Sequence, residues 1–285
     1  MKIYDVTVCG LGEGPLWHPE RRQLFWFNIT GKRLLTRSGE QAQSWAFDEF
    51  VSAAGWVDQQ TLLIASETRL FTFDLVLGDS TPIHDLEADN PHTRSNDGRA
   101  DPWGGFWIGT MGKSGEDKAG AIYRYYRGDL RRLHDEITVP NAICFTPDAS
   151  HAYFADTRQR CIWRQPLARA DGWPAGEPTV FVDLQAEGLK PDGAVVDTEG
   201  RLWNAQWGAG QIACYDPAGR FLHATPCPAS QVTCPAFGGE DLTTLFATSA
   251  TQNLSPTELS AEPHAGKTFT INVEARGQRE HQVIL

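Results

Sequence analysis

Four short motifs place an oxygen-bearing side chain directly before a small residue and an apolar run. They read "LGEGPLW", "RSNDGRAD", "VPNAICF" and "KPDGAVVD", and their oxygen-bearing residues are Glu13, Asp97, Asn141 and Asp192. Carboxylates and amides are ligands that Ca²⁺, Mg²⁺ and Mn²⁺ prefer, whereas Zn²⁺ usually takes at least some nitrogen or sulfur. If the motifs converge in the folded chain, they predict a site for a hard divalent cation.

An ordinary turn is the alternative explanation for each motif taken alone. Asp and Asn before Gly form turns through side-chain-to-backbone hydrogen bonds. Glu13 fits this explanation poorly, because Glu is not a favoured turn residue. These residue types are also poor strand formers, so their recurrence at the start of separate apolar runs favours a shared site.

Other catalytic motifs are absent from the sequence. There is no G-x-S-x-G nucleophile elbow and no G-x-x-x-x-G-K-[ST] phosphate loop. The eight histidines show neither H-x-x-x-H nor H-E-x-x-H spacing. The oxygen-bearing motifs are therefore the main candidates for chemistry.

The motifs belong to a repeat that runs through the chain. The small or proline residues that open six apolar runs are separated by 41, 43, 44, 51 and 42 residues: Gly14, Gly55, Gly98, Ala142, Gly193 and Pro235. The residues directly before them are Glu13, Ala54, Asp97, Asn141, Asp192 and Cys234. Each run is followed by a turn and an aromatic-rich second strand, which is the pattern of β-structure.

Six units of roughly 40–50 residues, each with three or four strands, match the period of a β-propeller blade. We therefore predict an all-β, six-bladed propeller that forms a single domain over residues 1–285. A solenoid is the rival, but the polar terminal repeats that it needs are not evident. The N-terminal strand "KIYDVTV" is predicted to pair with the last unit, which contains "TTLFATS" and "KTFTINV", and so to close the ring. In a propeller, the innermost strands bring such motif residues together at the central channel.

Composition narrows the choice of partners and compartment. The formal net charge is −11 and no basic block occurs, so nucleic acid and anionic membranes are not expected partners. No run of 18 apolar residues and no signal-like N-terminus is found, so no membrane span is expected. The six cysteines contain no C-x-x-C pair and are expected to be reduced. A cytoplasmic location without an obligatory protein partner is the expectation.

The segments "LGEGPLWHPERRQLFWFNI", "RSNDGRADPWGGFWIGTMG", "PNAICFTPDASHAYFADT" and "PDGAVVDTEGRLWNAQWGAG" resemble those of the senescence marker protein-30 (regucalcin) / gluconolactonase family. The resemblance covers nearly the whole chain in the same order. It implies a six-bladed propeller and a metal-dependent lactonase that opens a small sugar lactone to the free acid.

The resemblance also implies roles for individual residues. The "GEGP", "PNA" and "PDG" motifs make Glu13, Asn141 and Asp192 the ligands of one divalent metal ion, although Ala142 replaces the family's usual glycine. Ca²⁺ is expected first, with Zn²⁺, Mn²⁺, Mg²⁺ and Fe²⁺ as alternatives. Asp192 is implied to act also as the catalytic base. Three protein ligands would leave positions for water and substrate.

Substrate contacts are implied for Arg94 and Asn96, from the "R-x-N-D-G" pattern, and for Glu116 in the loop "GKSGEDKAG". The repeat alignment points to Asp97 as the channel residue of the third unit, whereas the family points to Asn96. We follow the family and expect Asp97 to form a turn or to support the site.

The sugar itself is left open by the sequence. An aldonolactone such as gluconolactone, a pentonolactone and an aldarolactone all fit, and Arg94 is a candidate partner for the extra carboxylate of an aldarolactone. Two other functions are alternatives: a non-catalytic calcium-binding regulatory propeller, and an esterase or phosphotriesterase on the same scaffold.

Overall fold

The computed structural model describes residues 1–285 as six four-stranded antiparallel sheets. The innermost strand of each sheet contacts the innermost strands of the two neighbouring sheets, so the six form a closed ring. This confirms the predicted six-bladed β-propeller. The single helix has six residues, and no helix in the structure has the length and apolar character needed to cross a bilayer.

The chain begins with β1 (Lys2–Asp5) and then forms the first three blades, each from four consecutive strands. Blade 1 contains β2 (Gly12–His18), β3 (Gln23–Asn28), β4 (Arg33–Ser38) and β5 (Gln41–Ala46). Blade 2 contains β6 (Val51–Trp56), β7 (Thr61–Ser66), β8 (Arg69–Asp74) and β9 (Ser80–Asp85). Blade 3 contains β10 (Thr93–Ala100), β11 (Phe106–Gly112), β12 (Gly120–Tyr126) and β13 (Asp129–Ile137).

The remaining blades follow the same plan from inside to outside. Blade 4 contains β14 (Pro140–Phe145), β15 (His151–Asp156), β16 (Cys161–Pro166) and β17 (Thr179–Asp183). Blade 5 contains β18 (Pro191–Val196), β19 (Leu202–Gln206), β20 (Gln211–Tyr215) and β21 (Phe221–Pro226). Blade 6 contains β22 (Val232–Gly238), β23 (Thr244–Ser249) and β24 (Thr268–Asn272), with α1 (Pro256–Ala261) between the last two.

The ring closes through the two ends of the chain. β1 pairs antiparallel with β24, with Lys2 opposite Thr270 and Ile3 opposite Phe269. The N-terminal strand is therefore the outermost strand of blade 6, as predicted. Because the last sheet contains strands from both ends, the seam is hydrogen-bonded like the interior of any other blade.

Apolar packing holds neighbouring blades together. Six buried apolar clusters lie one at each of the six blade-to-blade interfaces. The second strands supply large anchors, and Trp26, Trp107 and Trp203 are almost completely buried. Full burial of a large apolar side chain contributes about 1.5–3 kcal/mol, so each interface stabilises the ring that positions the channel residues.

Every innermost strand is interrupted by a register shift near its start. In register, the counterparts of Asp192 are Asn96 in blade 3, Ser52 in blade 2 and Thr233 in blade 6, whereas Glu13 and Asn141 are the last paired residues before the shift in their own strands. The sequence alignment missed the position of Asp192 in three blades, where it chose Asp97, Ala54 and Cys234. The reason is that a bulge adds a residue and changes the spacing between the channel position and the small residue after it.

The C-terminal segment, residues 276–285, covers one end of the channel, which we call the lower end. The sequence did not predict this cover. Gly277 N–H donates to Leu242 O at 2.8 Å, and Val283 N–H donates to Trp56 O at 2.8 Å. Inside the channel, Arg99 forms an ion pair of 2.5 Å with Glu280 of this segment. The side chains of Arg99 and Glu280 are only 11% and 7% exposed.

The substitution Glu280→Gln is expected to lower the free energy of unfolding by about 3–5 kcal/mol, because it leaves the Arg99 guanidinium buried without its carboxylate. Urea denaturation measures the change. Glu136→Gln is the matched control, since Glu136 pairs with Lys118 on the surface, where such pairs contribute little. Equal stability of the two variants would contradict the inferred role of the channel ion pair.

Candidate active site

A cavity of about 680 Å³ opens at the upper end of the channel. Five of the six residues predicted to form the site line this cavity: Glu13, Arg94, Asn96, Asn141 and Asp192. They come from blades 1, 3, 4 and 5, whose register shifts turn their side chains toward the channel. The structure thus brings together residues up to 179 positions apart in sequence.

Glu13 and Asp192 form a buried pair of carboxyls. Each residue is 4% exposed, and the two side chains lie within hydrogen-bonding distance of each other. Burial raises the pKa of both carboxyls, and the neighbouring charge of Asp97 raises both further. The Gly14 N–H donates to Glu13 Oε2 at 2.9 Å, which leaves the remaining lone pairs of Glu13 for other partners. Gly193, the residue after Asp192, packs closely against Cys234. An added Cβ at Gly193 would lie 2.3 Å from the Cys234 Sγ, so the position has no room for a side chain.

Asn141 is fixed by hydrogen bonds on both sides of its amide. Asn96 Nδ2 donates to Asn141 Oδ1 at 3.2 Å, and Asn141 Nδ2 donates to Thr157 Oγ1 at 2.8 Å. Thr157 Oγ1 in turn donates to Pro191 O at 2.6 Å, which ties blade 4 to the residue before Asp192. The amide oxygen of Asn141 keeps a second lone pair, so it can still serve as a ligand.

Ala142 adopts the left-handed conformation, with φ of 57°, in the place where Gly14 has φ of 54° in blade 1. Such a φ costs a residue with a Cβ roughly 1–2 kcal/mol. The Ala142 methyl group is nevertheless fully buried among apolar neighbours of blades 4 and 5. The unusual alanine therefore keeps the backbone shape that presents Asn141 to the channel.

Arg94 is 7% exposed and reaches the cavity from blade 3. Its Nη1 donates to Ser95 O at 2.8 Å and to Asn96 Oδ1 at 2.9 Å. Burial lowers the pKa of the guanidinium to about 10, and the charges of Glu13 and Glu67 oppose that change. Arg94 therefore stays cationic at neutral pH, and it forms no ion pair that would occupy its other donors.

Asp97 lies just below the cavity and does not line it. Its Oδ2 accepts a hydrogen bond of 2.8 Å from Ile143 N–H, which joins blades 3 and 4. Burial raises the pKa of Asp97 to about 6, and the hydrogen bond from Ile143 and the charge of Arg99 oppose the shift. Asp97 therefore lies next to the site without lining the cavity, and its expected role in a turn or in support of the site stays a prediction.

Glu116 is not brought to the cavity wall. Its side chain is exposed, and its Oε2 accepts a hydrogen bond of 3.0 Å from the Ser114 N–H. Ser114 and Gly115 line the cavity instead, so Glu116 shapes the loop that carries them. A direct contact between Glu116 and the substrate stays a prediction.

Basic residues on the cavity wall were missed by the sequence analysis: Lys113, Arg158, Arg160 and Lys190. They follow or precede strand ends in loops, where basic residues are common on any surface. Their positions in the sequence could have indicated a place near the site. Arg158 and Arg160 directly follow β15, and Lys190 stands two residues before Asp192.

The donor set fits a hard divalent cation. Two carboxyls and one amide oxygen face a common cavity, and the Asp192 carboxyl contacts the Gly193 N–H and the Glu13 side chain. Two adjacent buried carboxyls repel each other when both are charged, and a cation removes that repulsion. Oxygen ligands of this kind suit Ca²⁺, Mg²⁺ and Mn²⁺. Glu13, Asn141 and Asp192 are therefore the residues that would hold the metal.

Fold and site together define a six-bladed propeller with one polar site at the end of its channel. The sequence matches the SMP-30/Gluconolactonase/LRE-like region over residues 11–251. The chain belongs to this family, as its motifs indicated.

Relatives with assigned names agree with this membership. A candidate sugar lactone lactonase of Rhizobium meliloti is 40% identical over 273 residues, which cover 95% of this chain and 92% of that protein. A 6-deoxy-6-sulfogluconolactonase of Pseudomonas putida is 32% identical, with coverages of 95% and 94%. The solved structure of a calcium-binding protein, regucalcin, from Agrobacterium tumefaciens has a TM-score of 0.98 at 38% identity, with coverages of 100% and 97%.

Proposed function

We propose that the protein hydrolyses a sugar lactone to the free sugar acid with the help of one divalent metal ion, Ca²⁺ in the first place. The observation that carries the proposal is the buried pair Glu13 and Asp192, which faces a cavity together with Asn141 and Arg94. The names of the relatives support lactones as the substrate class, and the calcium-binding relative supports the metal.

The chemistry of lactone opening requires an activated water, a polarised carbonyl and a stabilised oxyanion. When bound, the divalent cation would supply Lewis-acid stabilisation of negative oxygen. The Asp192 carboxylate acts as the base and takes the proton of the attacking water, because this carboxylate lines the cavity. Its burial keeps bulk water away from the reacting atoms, which strengthens each electrostatic contact.

Arg94 and Asn96 orient the sugar ring. Arg94 Nη1 is held by Ser95 and Asn96, so the guanidinium has a fixed plane and directs its other donors at the cavity. Both hydrogens of Asn96 Nδ2 are used, by Pro140 O at 3.0 Å and by Asn141, so Asn96 fixes Asn141 and keeps only its Oδ1 for a sugar hydroxyl. A fixed set of donors lowers the entropy cost of placing the carbonyl next to the water.

A calcium-binding regulatory propeller without activity is the second candidate, since the name of the Agrobacterium structure refers to calcium. The cavity argues for an enzyme, because a simple calcium buffer surrounds the ion with more oxygen ligands and needs no adjoining space for a substrate.

A panel of sugar lactones tests the proposal by titration of the acid released at constant pH. We expect at least one lactone to be opened much faster than in buffer, EDTA to abolish the rate, and Ca²⁺ or another divalent ion to restore it. If no lactone is opened with any of the metals while Ca²⁺ still binds, the regulatory alternative replaces the enzyme.

A further inference from the structure

The cavity wall has a charge opposite to that of the molecule. The chain has a formal net charge of −11, yet five basic side chains line the cavity: Arg94, Lys113, Arg158, Arg160 and Lys190. Glu13 and Asp192 are the only carboxyls among the lining residues. A cleft lined by one sign of charge focuses the field and raises the local concentration of ligands of the opposite sign.

Most of these cations have no carboxylate partner. Only Lys113 forms an ion pair, with Glu67, whereas the other four basic residues of the cavity wall form none. The nearby carboxylate of Asp156 is used by backbone donors, since it accepts hydrogen bonds from Thr138 N at 3.0 Å and Val139 N at 3.1 Å. The positive charge of the wall is therefore available to a ligand.

Hydrogen bonds hold the loop after β15, which carries Arg158 and Arg160, next to the metal-ligand residues. Arg158 N–H donates to Asp156 Oδ1 at 3.1 Å, and the side chain of Thr157 bonds to both Asn141 and Pro191. On the next blade, Trp207 N–H donates to Lys190 O at 3.0 Å, two residues before Asp192. Blades 4 and 5 thus present cations and metal-site residues from the same short segments.

We propose that the substrate is a sugar lactone that carries an anionic group besides its ring ester, and that Arg158, Arg160 and Lys190 select for that group. This inference rests on the proposed function, because it names the substrate class of the same site. A carboxylate, a sulfonate and a phosphate share the required chemistry, and Arg pairs with each through two parallel hydrogen bonds.

Four lactones with the same sugar skeleton separate the cases: neutral gluconolactone, glucarolactone, sulfogluconolactone and phosphogluconolactone. We expect kcat/KM to be at least about tenfold higher for one of the anionic lactones than for gluconolactone, and the preference to weaken with added salt. The member with the highest value identifies which anion the wall accepts. A preference for neutral gluconolactone would overturn the inference.

The triple variant R158Q/R160Q/K190Q is expected to reduce the ratio of kcat/KM for the anionic lactone over gluconolactone by about tenfold or more, through loss of charge attraction. Arg33→Gln is the matched control, because Arg33 is exposed on β4 and lies outside the cavity wall. The control should keep the ratio of the unchanged protein. An unchanged ratio in the triple variant would contradict the assignment.

Binding of open-chain acids gives a readout that does not need turnover. Calorimetry on the metal-supplied protein is expected to show glucarate, a dianion, bound at least about fivefold more tightly than gluconate, a monoanion, with the difference lost in the triple variant. Equal dissociation constants in the unchanged protein would overturn the inference. If no lactone is opened but this difference is present, the proposed reaction fails while the anionic subsite stands.

Discussion

Asp192→Asn is expected to lower kcat for lactone hydrolysis by about 10³-fold or more while the protein stays folded. A positioned general base contributes about 10²–10⁴-fold, and the same substitution removes one charged ligand of the proposed metal site. Asn is close to Asp in shape, so the contact between the Asp192 backbone and the Asn204 side chain, at 2.9 Å, is kept.

Circular dichroism, the melting temperature in EDTA and a control variant distinguish a catalytic from a structural effect of this change. The variant should have the circular dichroism spectrum of the unchanged protein and a similar or higher melting temperature in EDTA, because it removes a buried carboxyl next to Glu13. Asp129→Asn serves as the control for loss of one negative charge, since Asp129 is exposed on the outer strand of blade 3. A folded D192N protein with undiminished kcat would refute the role of Asp192 as base.

Much of the fold could be predicted because the sequence repeats it. The regular spacing of the residues that open the apolar runs, with aromatic second strands, indicates six blades, and the orphan N-terminal strand indicates how the ring closes. The C-terminal segment could not be predicted in this way. It has no strand alternation, and its function in the fold depends on carbonyl groups of five separate blades, which only the assembled ring brings together.

The candidate site was predictable for a different reason. Glu13, Asn141 and Asp192 stand directly before their small residues, so an alignment of those small residues finds all three. Blade 3 breaks this rule, because one residue, Asp97, separates Asn96 from Gly98 within the bulge. The repeat alignment indicated Asp97, and only the resemblance to a family indicated Asn96. Bulge position is a property of strand pairing, which a single sequence does not display.

The basic residues of the cavity wall could not be predicted from sequence patterns. Arg158, Arg160 and Lys190 are separated in sequence and stand in loops of ordinary composition. They line the same cavity because the Asp156 carboxylate holds the loop after β15 and Thr157 links that loop to Asn141 and Pro191. Specificity here depends on loop geometry, whereas the metal-ligand residues depend on the repeated strands.

Removal of divalent cations is expected to destabilise the protein, and more strongly as the pH rises. The raised pKa values of Glu13 and Asp192 mean that, without a cation, the folded protein keeps protons that the unfolded chain releases. The contribution of these groups to stability is therefore fully present below the unfolded pKa of about 4 and is lost as the pH rises through their raised folded values. Asp97, with a pKa raised to about 6, acts in the same direction.

A bound cation favours the charged carboxylates, so the metal-loaded protein escapes this loss. We expect the gap in melting temperature between Ca²⁺-loaded and EDTA-treated protein to widen between about pH 5 and pH 8, by at least about 4 °C, since each pH unit per group corresponds to about 1.4 kcal/mol. Differential scanning calorimetry at matched ionic strength measures the gap. Subtracting the two curves removes the titration of all groups that the metal does not touch.

The double variant Glu13→Gln with Asp192→Asn is the decisive comparison for this pH dependence. Both substitutions keep the side-chain size and remove the two groups whose charge the cation would offset. The variant should show no stabilisation by Ca²⁺ and a shallower fall of stability with pH in EDTA, because its folded state no longer holds those protons. A stabilisation by Ca²⁺ that persists in the double variant would move the metal site away from Glu13 and Asp192, and the proposed mechanism with it.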